Sequence, residues 1–391
     1  MPEERPDTIY LDHAATTPLD PRVLEAMLPF LRGAFGNASS PHAEGRRAAD
    51  AVEEARGRVA LSLGADPREV VFTSGATESN NLALRGVAAA EAHARRPRRI
   101  LTCVTEHHAV LDPLARLEAE GFEVVRLGVD ALGHLDLGEL DAELARGALM
   151  VSIMSANNET GGRHPLAEIG ARCREHGALL HTDATQSFGK EALDVDAAGV
   201  DLLSLSAHKL HGPKGVGALF LRRKRPRVRV AALQEGGGHE GGRRSGTLNV
   251  PGIVGLGEAA RLADREREAD AARVAALRDR FEGALAAAVP GLAVMGDPGD
   301  RLPGHSNVAF PGVDGAELLA AIPSVCASTA AACTSASLQR SHVLRALGRT
   351  PEEVVGSVRF SMGRTTTEDE VTEAAARVVA ELERRGATGP G

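Results

Sequence analysis

The stretch Leu203-Ser204-Leu205-Ser206-Ala207-His208-Lys209-Leu210-His211-Gly212-Pro213-Lys214-Gly215 joins a short apolar run to a Ser-x-His-Lys step and a Gly/Pro-rich turn. The apolar run reads as a buried strand, which puts Lys209 at its carboxyl end. Desolvation there favours the neutral amine, the form that adds to an aldehyde. Ser206 and His208 beside it can bond an anion such as a phosphate. A Schiff-base lysine flanked by phosphate donors suits pyridoxal 5'-phosphate.

Around this stretch, helical and strand patterns alternate from about residue 20 to 257. Strands are expected over 69–73, 99–104, 149–154, 178–182 and 201–206. Helices are expected over 41–63, 77–92, 109–120 and 165–176. Such alternation gives an α/β fold with a mostly parallel sheet, helices on both faces and ligands beyond the carboxyl ends of the strands. A Gly-rich loop over 235–246 follows, then a long helix over 254–288. Beyond it, strands are expected near Leu292 and over 306–310 and 358–361, and helices over 314–321, 340–347 and 367–385. The tail 386–391 reads as frayed. The expected division is a large cofactor-binding domain, 14–257, and a smaller domain, 258–391, joined by the N-terminal segment 1–13.

A chain of 391 residues is too long for one simple core. Its 43% hydrophobic and 25% charged residues fit an ordinary globular protein, and with only 3% aromatics the core must be filled by Ala, Val and Leu. The net charge of −8, with no long block of one sign, points away from nucleic acid. There is no signal-peptide pattern and no apolar run long enough to span a membrane. The four cysteines, Cys103, Cys173, Cys326 and Cys333, form no CxxC pair, and a reducing cytoplasm is the expected location.

Other polar clusters follow expected strands. Thr73-Ser74-Gly75-Ala76-Thr77-Glu78 opens a helix, whose free N–H groups and Thr77 hydroxyl can bind phosphate; an ordinary N-cap is the plainer alternative. Asp183 ends a strand in His181-Thr182-Asp183-Ala184-Thr185-Gln186. Its carboxylate can pair with a pyridinium nitrogen, or it can simply cap the next turn. Gln186 could bond the ring's phenolic oxygen. Lys209 lies one crossover later, so both side chains can reach one ligand. His107 in Thr105-Glu106-His107-His108 can stack on a flat ring or sit in solvent, and no spaced His/Cys pair supports a metal site. Asn157-Asn158-Glu159-Thr160-Gly161 follows a fourth strand and is otherwise a polar turn. Cys333 lies among small residues, Ser328 to Ser337, and reads as an accessible, reactive thiol or an incidental surface one, whereas the other three cysteines read as buried packing. Arg359, inside a strand-like run, needs an anion: a substrate carboxylate or an internal ion pair.

Longer motifs connect these clusters. Tyr10-Leu11-Asp12-His13-Ala14-Ala15-Thr16-Thr17 and Gly36-Asn37-Ala38-Ser39-Ser40-Pro41-His42 come first, then TSGATESNN from Thr73, TEHHAV from Thr105, NNETG from Asn157 and HTDATQS from His181. SAHKLHGPKG from Ser206, RRSGTLN from Arg243 and ACTSAS from Ala332 complete the series. In this order, over nearly the whole chain, they resemble the cysteine desulfurases of the class V aminotransferase family, of the nitrogen-fixation and iron–sulfur-assembly type.

The resemblance implies the pyridoxal-phosphate-dependent transferase fold of type I, with a mostly parallel seven-stranded sheet flanked by helices and a smaller α+β domain. It implies removal of sulfur from L-cysteine, giving L-alanine and a Cys333 persulfide that passes to acceptor proteins such as an iron–sulfur scaffold. Cys333, Lys209 and His107 would be catalytic. Lys209 would carry the cofactor, Asp183 the pyridine nitrogen and Gln186 the phenolic oxygen, with His107 stacked on the ring. Ala76, Thr77, Ser206 and His208 would hold the phosphate. Thr247 would reach the cofactor of the neighbouring subunit, which makes a homodimer the expected state. Asn158 would lie near the cofactor's ring oxygen and the substrate carboxylate, and Arg359 with Asn37 would bind that carboxylate. One departure is Ala330-Ala331, where the family often has glycine and serine; alanine is less permissive, so this stretch is expected to be stiffer. Selenocysteine lyase and cysteine sulfinate lyase are alternatives on the same fold, but neither needs a nucleophilic thiol. A nucleotide-binding module built on Gly236-Gly237-Gly238 lacks the strand–GxGxxG–helix context. The intact Lys209, Asp183 and Cys333 set argues against a catalytically silent scaffold.

Overall fold

A computed structural model describes residues 8–329 and 341–388. After β1 (Ile9–Tyr10), the large sheet takes β2 (Val70–Thr73), β3 (Arg99–Cys103), β4 (Glu123–Leu127), β5 (Met150–Ser152), β6 (Leu179–Asp183), β7 (Leu202–Ser206) and β8 (Gly217–Leu221). Their spatial order is β2-β8-β7-β6-β5-β3-β4. Neighbours among β3 to β7 pair in parallel, and β8 alone runs antiparallel to both β2 and β7. This is the mostly parallel sheet that the alternation called for, with the seven strands that the resemblance implied.

Both faces of the sheet are buried, which explains why its strands read as continuous apolar runs. Successive side chains point to opposite faces. Val70, Phe72, Leu101, Val151, Leu180, Leu203 and Phe220 enter one core, while Val71, Ile100, Met150, Leu179, Leu202 and Leu219 enter another. Each such burial contributes about 1.5–3 kcal/mol.

The helix Val250–Ala288 links this unit to the second one. Asn249 caps its first turn by accepting from Gly252 N–H. Ile253, Leu256, Ala260 and Ala263 pack into the large-sheet core. Val274, Leu277, Phe281 and Leu285, at helical spacing, pack into a separate core with Phe360 and Val308. Phe281 and Phe360 meet with ring centroids 4.8 Å apart. The second unit holds β9 (Ala293–Val294), β10 (His305–Ala309), β11 (Val325–Cys326), β12 (Ser328–Thr329) and β13 (Ser357–Ser361). β12-β13-β10-β9 form an antiparallel sheet, and β1 pairs in parallel with β11. Residues 9–13 therefore belong to this second unit, and His13 N–H donates to Ser361 O.

Several elements go beyond the sequence reading. They are the strands β1, β4, β8, β11 and β12 and the helices Pro21–Arg32, Leu137–Ala145 and Pro351–Gly356. The long helix begins four residues earlier than expected, at Val250, because Asn249 and Pro251 make its cap and first turn. Cys103 and Cys173 are buried as expected, and burial pushes their thiols up to about 11 and about 12. Cys326 is only half-buried, because β11 pairs solely with the short β1. Cys333 and Ala330 lie outside the described residues.

Candidate active site

A cleft of about 600 Å³ opens beyond the carboxyl ends of β2, β6 and β7. It brings together Ala76, Thr77, His107, Asn158, Asp183, Gln186, Ser206, His208, Lys209 and Arg359, all expected from the sequence. Asn37 and Thr247 are exposed and do not line it. Asn37 Oδ1 instead accepts from Ser39 N–H in a local turn.

Each side chain is placed by the end of an element. β7 stops at Ser206, and the 3-10 turn Ala207–Lys209 delivers His208 and Lys209 to the cleft. Lys209 Nζ donates to the carbonyls of Ala14 and Ala15. Asp183 is the last residue of β6 and is 7% exposed. One of its oxygens accepts from Asn80 Nδ2 at 2.7 Å, and the other from the backbone N–H and hydroxyl of Thr185. Gln186 is oriented by donating to Ala14 O at 3.0 Å.

At the other end of the cleft, Gly75 precedes the helix Ala76–Ala89, whose first turn has no side-chain cap. Gly75 has φ 154, which suits glycine. Ser74 N–H is taken by Glu78, which also holds Arg244. Ser206 and His208 close the cradle, and His208 Nδ1 lies 3.1 Å from Thr16 Oγ1. Burial, with Lys209, Lys214 and Lys190 nearby, lowers His208 to about 4, so it is neutral at ordinary pH.

His107 caps the helix His108–Ala119, its Nδ1 accepting from Ala109 N–H at 3.0 Å. Burial lowers its pKa more than the Asp183 charge raises it, and the neutral ring then carries its proton on Nε2. Behind it Glu106 is fully buried and accepts from Met154 N–H; burial holds it well above the usual carboxylate range.

Arg359, in the middle of β13, is 4% exposed. Its Nη1 donates to Asn158 O at 2.8 Å and its Nη2 to Asp12 at 3.0 Å, while Nε–H has no partner among the described residues. An internal ion pair is thus present, with a donor to spare. The roles of Asp12, Asn80, Thr185 and Glu159 were missed. Their signal was present, since all four lie inside quoted motifs, but contact across the fold is what distinguishes them.

The donor set fits pyridoxal phosphate. Asp183 is a buried carboxylate held only by neutral donors among the described residues, so it lacks a cation that a protonated pyridine would supply. The uncapped helix start with Thr77, Ser206 and His208 suits a phosphate, and Lys209 supplies the amine.

Sheet order and cleft together define the type I fold of pyridoxal-phosphate enzymes. Residues 9–373 match the family model Aminotransferase class-V, and the chain belongs to that family. Among its relatives is the cysteine desulfurase IscS of Anaeromyxobacter dehalogenans, 53% identical over 93% of this chain and 89% of that protein. The mouse cysteine desulfurase is 48% identical over 96% of this chain and 82% of its own length. Among solved structures, a NifS-like protein superposes with TM-score 0.89 at 37% identity, covering 96% of this chain and 100% of that one. SspA in complex with cysteine gives TM-score 0.81 at 35% identity, covering 92% and 100%.

Proposed function

We propose that this protein is a cysteine desulfurase: it removes sulfur from L-cysteine, releases L-alanine and leaves a persulfide on Cys333 for an acceptor protein. The observation that carries this reading is a single cleft holding the Asp183 carboxylate, the Lys209 amine and the Arg359 guanidinium. Relatives named cysteine desulfurase, at 48–53% identity, support the same substrate.

Pyridoxal phosphate, when bound, offers an aldehyde to amino groups and a sink for the electrons released at the substrate's Cα. Asp183 would pair with a protonated pyridine nitrogen, and Asn80 and Thr185 hold its two carboxylate oxygens in place. Ala76, Thr77, Ser206 and His208, which line one end of the cleft, would hold the phosphate, and His107 would lie against the ring. Arg359 orients the substrate carboxylate, with Asn158 beside it. Lys209, once its amine is free, takes the Cα proton. The Cys333 thiolate attacks the substrate sulfur. A new S–S bond forms as the substrate's C–S bond breaks, and the bond's electron pair stays with carbon. A proton then reaches that carbon, with His107 Nε2–H a donor at the cleft wall, and Lys209 gives the Cα proton back, which completes alanine. Cysteine and a thiol become alanine and a persulfide, with no external oxidant.

The persulfide sulfur goes to a thiol on an acceptor such as an iron–sulfur scaffold, and a reducing compartment such as the cytoplasm keeps Cys333 available. No helix among the described residues is long and apolar enough to cross a membrane. Thr247, exposed and away from its own cleft, suits the proposed contact with a second subunit's cofactor. Incubation with L-cysteine and a reductant tests the function. Wild type yields equal L-alanine and sulfide, Cys333→Ala yields neither while keeping its cofactor, and Lys209→Ala loses the visible absorbance of the lysine-bound cofactor. Normal turnover of cysteine by Cys333→Ala refutes the reading, and turnover of selenocysteine alone by that variant favours a lyase.

A further inference from the structure

Lys190 lies four positions after Gln186, behind the cleft rather than in it. It lines a separate cavity of about 70 Å³ together with His13, His211 and His305, and Lys209 borders both spaces. A tight turn puts it there. Gly189 has φ 77, and Lys190 N–H donates to Ser187 O at 2.9 Å. A Cβ at Gly189 would lie 3.0 Å from the Cβ of Ala263, so the turn packs closely on the long helix.

Lys190 Nζ donates to Gln186 Oε1 at 3.4 Å. It makes no ion pair among the described residues, and the adjacent Glu191 is paired with Arg163 instead. Gln186 Nε2 donates to Ala14 O at 3.0 Å, the carbonyl that also accepts from Lys209 Nζ. A side-chain amide has one oxygen acceptor and two N–H donors. Here the oxygen faces an amine and one N–H faces a carbonyl. The second N–H has no partner among the described residues and is left for the cleft that Gln186 lines. The Lys190–Gln186 bond therefore crosses the wall between cavity and cleft. Without Lys190, Oε1 of the buried Gln186 would lose its donor, a cost that favours turning the amide towards another one.

We propose that Lys190 is a positioning residue, whose bond to Oε1 holds the Gln186 amide with its second N–H towards the phenolic oxygen of the bound cofactor. The inference rests on the reading of the cleft as a pyridoxal phosphate site and adds to it a residue from outside the cleft. A donor on the phenolic oxygen makes that oxygen a poorer acceptor for the proton it shares with the Lys209 nitrogen. Losing the donor then raises the pH at which the lysine-bound cofactor gives up that proton. Burial lowers Lys190 from 10.5 to about 7, with Lys209 and Arg359 repelling it and Glu191 acting the other way. Above that pH it is largely an uncharged donor, so its bond to Gln186 counts for more than its charge. Around the cavity, burial keeps His13, His211 and His305 neutral, and Arg364 and Arg267 are paired with Asp270 and Asp264. His208 and Asp183 stand on the cleft side.

A pH titration of the holoenzyme's visible absorbance tests this without turnover, and simple loss of stability would not move its midpoint. Gln186→Met and Lys190→Met, each close in shape to the residue replaced, should both raise the midpoint by about one pH unit, a tenfold change in proton affinity. The double variant should go no higher than the higher of the two, because both changes remove the same hold on the phenolic oxygen. Lys190→Arg keeps a donor and should stay within about 0.3 unit of wild type. A Lys190→Met midpoint within about 0.3 unit of wild type overturns the proposal. So does a double variant whose shift equals the sum of the single shifts, since Lys190 would then act on Lys209 by charge and not through Gln186. A Lys190→Arg shift as large as that of Lys190→Met overturns it as well. A wild-type protein that takes up pyridoxal phosphate without any visible band would instead overturn the reading of the cleft itself.

Discussion

Asp183 and Glu159 are both buried carboxylates, yet their surroundings assign them opposite jobs. Asp183 accepts from Asn80 and Thr185 and faces the cleft, where a cationic ring would complete its pairing. Asp183→Asn keeps the shape and removes the charge. Its turnover should fall at least about 100-fold with the cofactor content unchanged, the scale of losing one electrostatic group aimed at developing charge. An alanine-release assay showing turnover within about threefold of wild type contradicts the assigned role. Glu159 is pushed by burial from 4.5 up to about 7, against the pull of Ser341 and Arg359. The folded state thus holds this proton more tightly than the unfolded chain, and stability falls as pH rises from 4.5 through 7. The loss amounts to about 3 kcal/mol across that window. Glu159→Gln should flatten the pH dependence of the thermal midpoint by that amount, and equal slopes in variant and wild type would show that Glu159 does not titrate there. The residues that carry the chemistry were legible because each sits in a distinctive local string. Asp12 also sits in such a string, but its role was not legible there: its partner Arg359 lies 347 residues away, and no local pattern encodes that contact.

Among the elements, strands apolar on both faces were the ones the sequence displayed clearly. β4, Glu-Val-Val-Arg-Leu at the sheet edge, carries two charged residues and is largely unburied, so it lacks the signal of a central strand. β8, Gly-Ala-Leu-Phe-Leu, is short and begins on glycine straight after a turn, which hides it behind the Gly/Pro-rich segment. That glycine has a packing reason. A Cβ at Gly217 would run into Leu205 O and would lie 2.7 Å from Gly75 Cα, so β8 can approach the phosphate cradle only without a side chain. Gly217→Ala should therefore cost about 1–3 kcal/mol and speed loss of the cofactor on dialysis. An unchanged thermal midpoint together with unchanged cofactor retention would show that the cradle tolerates the methyl group.

At the scale of the whole molecule, the cleft joins two separately packed units. The cofactor set comes from the large sheet, whereas Arg359 and its partner Asp12 come from the second unit, with β13 and the N-terminal segment. The overall α/β plan followed from alternation alone, and the order of the motifs pointed to one site. The N-terminal segment is expected with the smaller domain, but alternation does not name its partners: residues 9–13 pair with β11 and β13, a contact between chain regions more than three hundred residues apart. The central claim, that sulfur leaves cysteine on Cys333, is tested most directly by mixing holoenzyme with one equivalent of L-cysteine, quenching with an alkylating agent and mapping the protein by mass spectrometry. The account predicts one extra sulfur atom on the Cys333 peptide, an equal amount of L-alanine, and no added sulfur on Cys103, Cys173 or Cys326. L-Alanine released without added sulfur on Cys333, or with it on another cysteine, would contradict it.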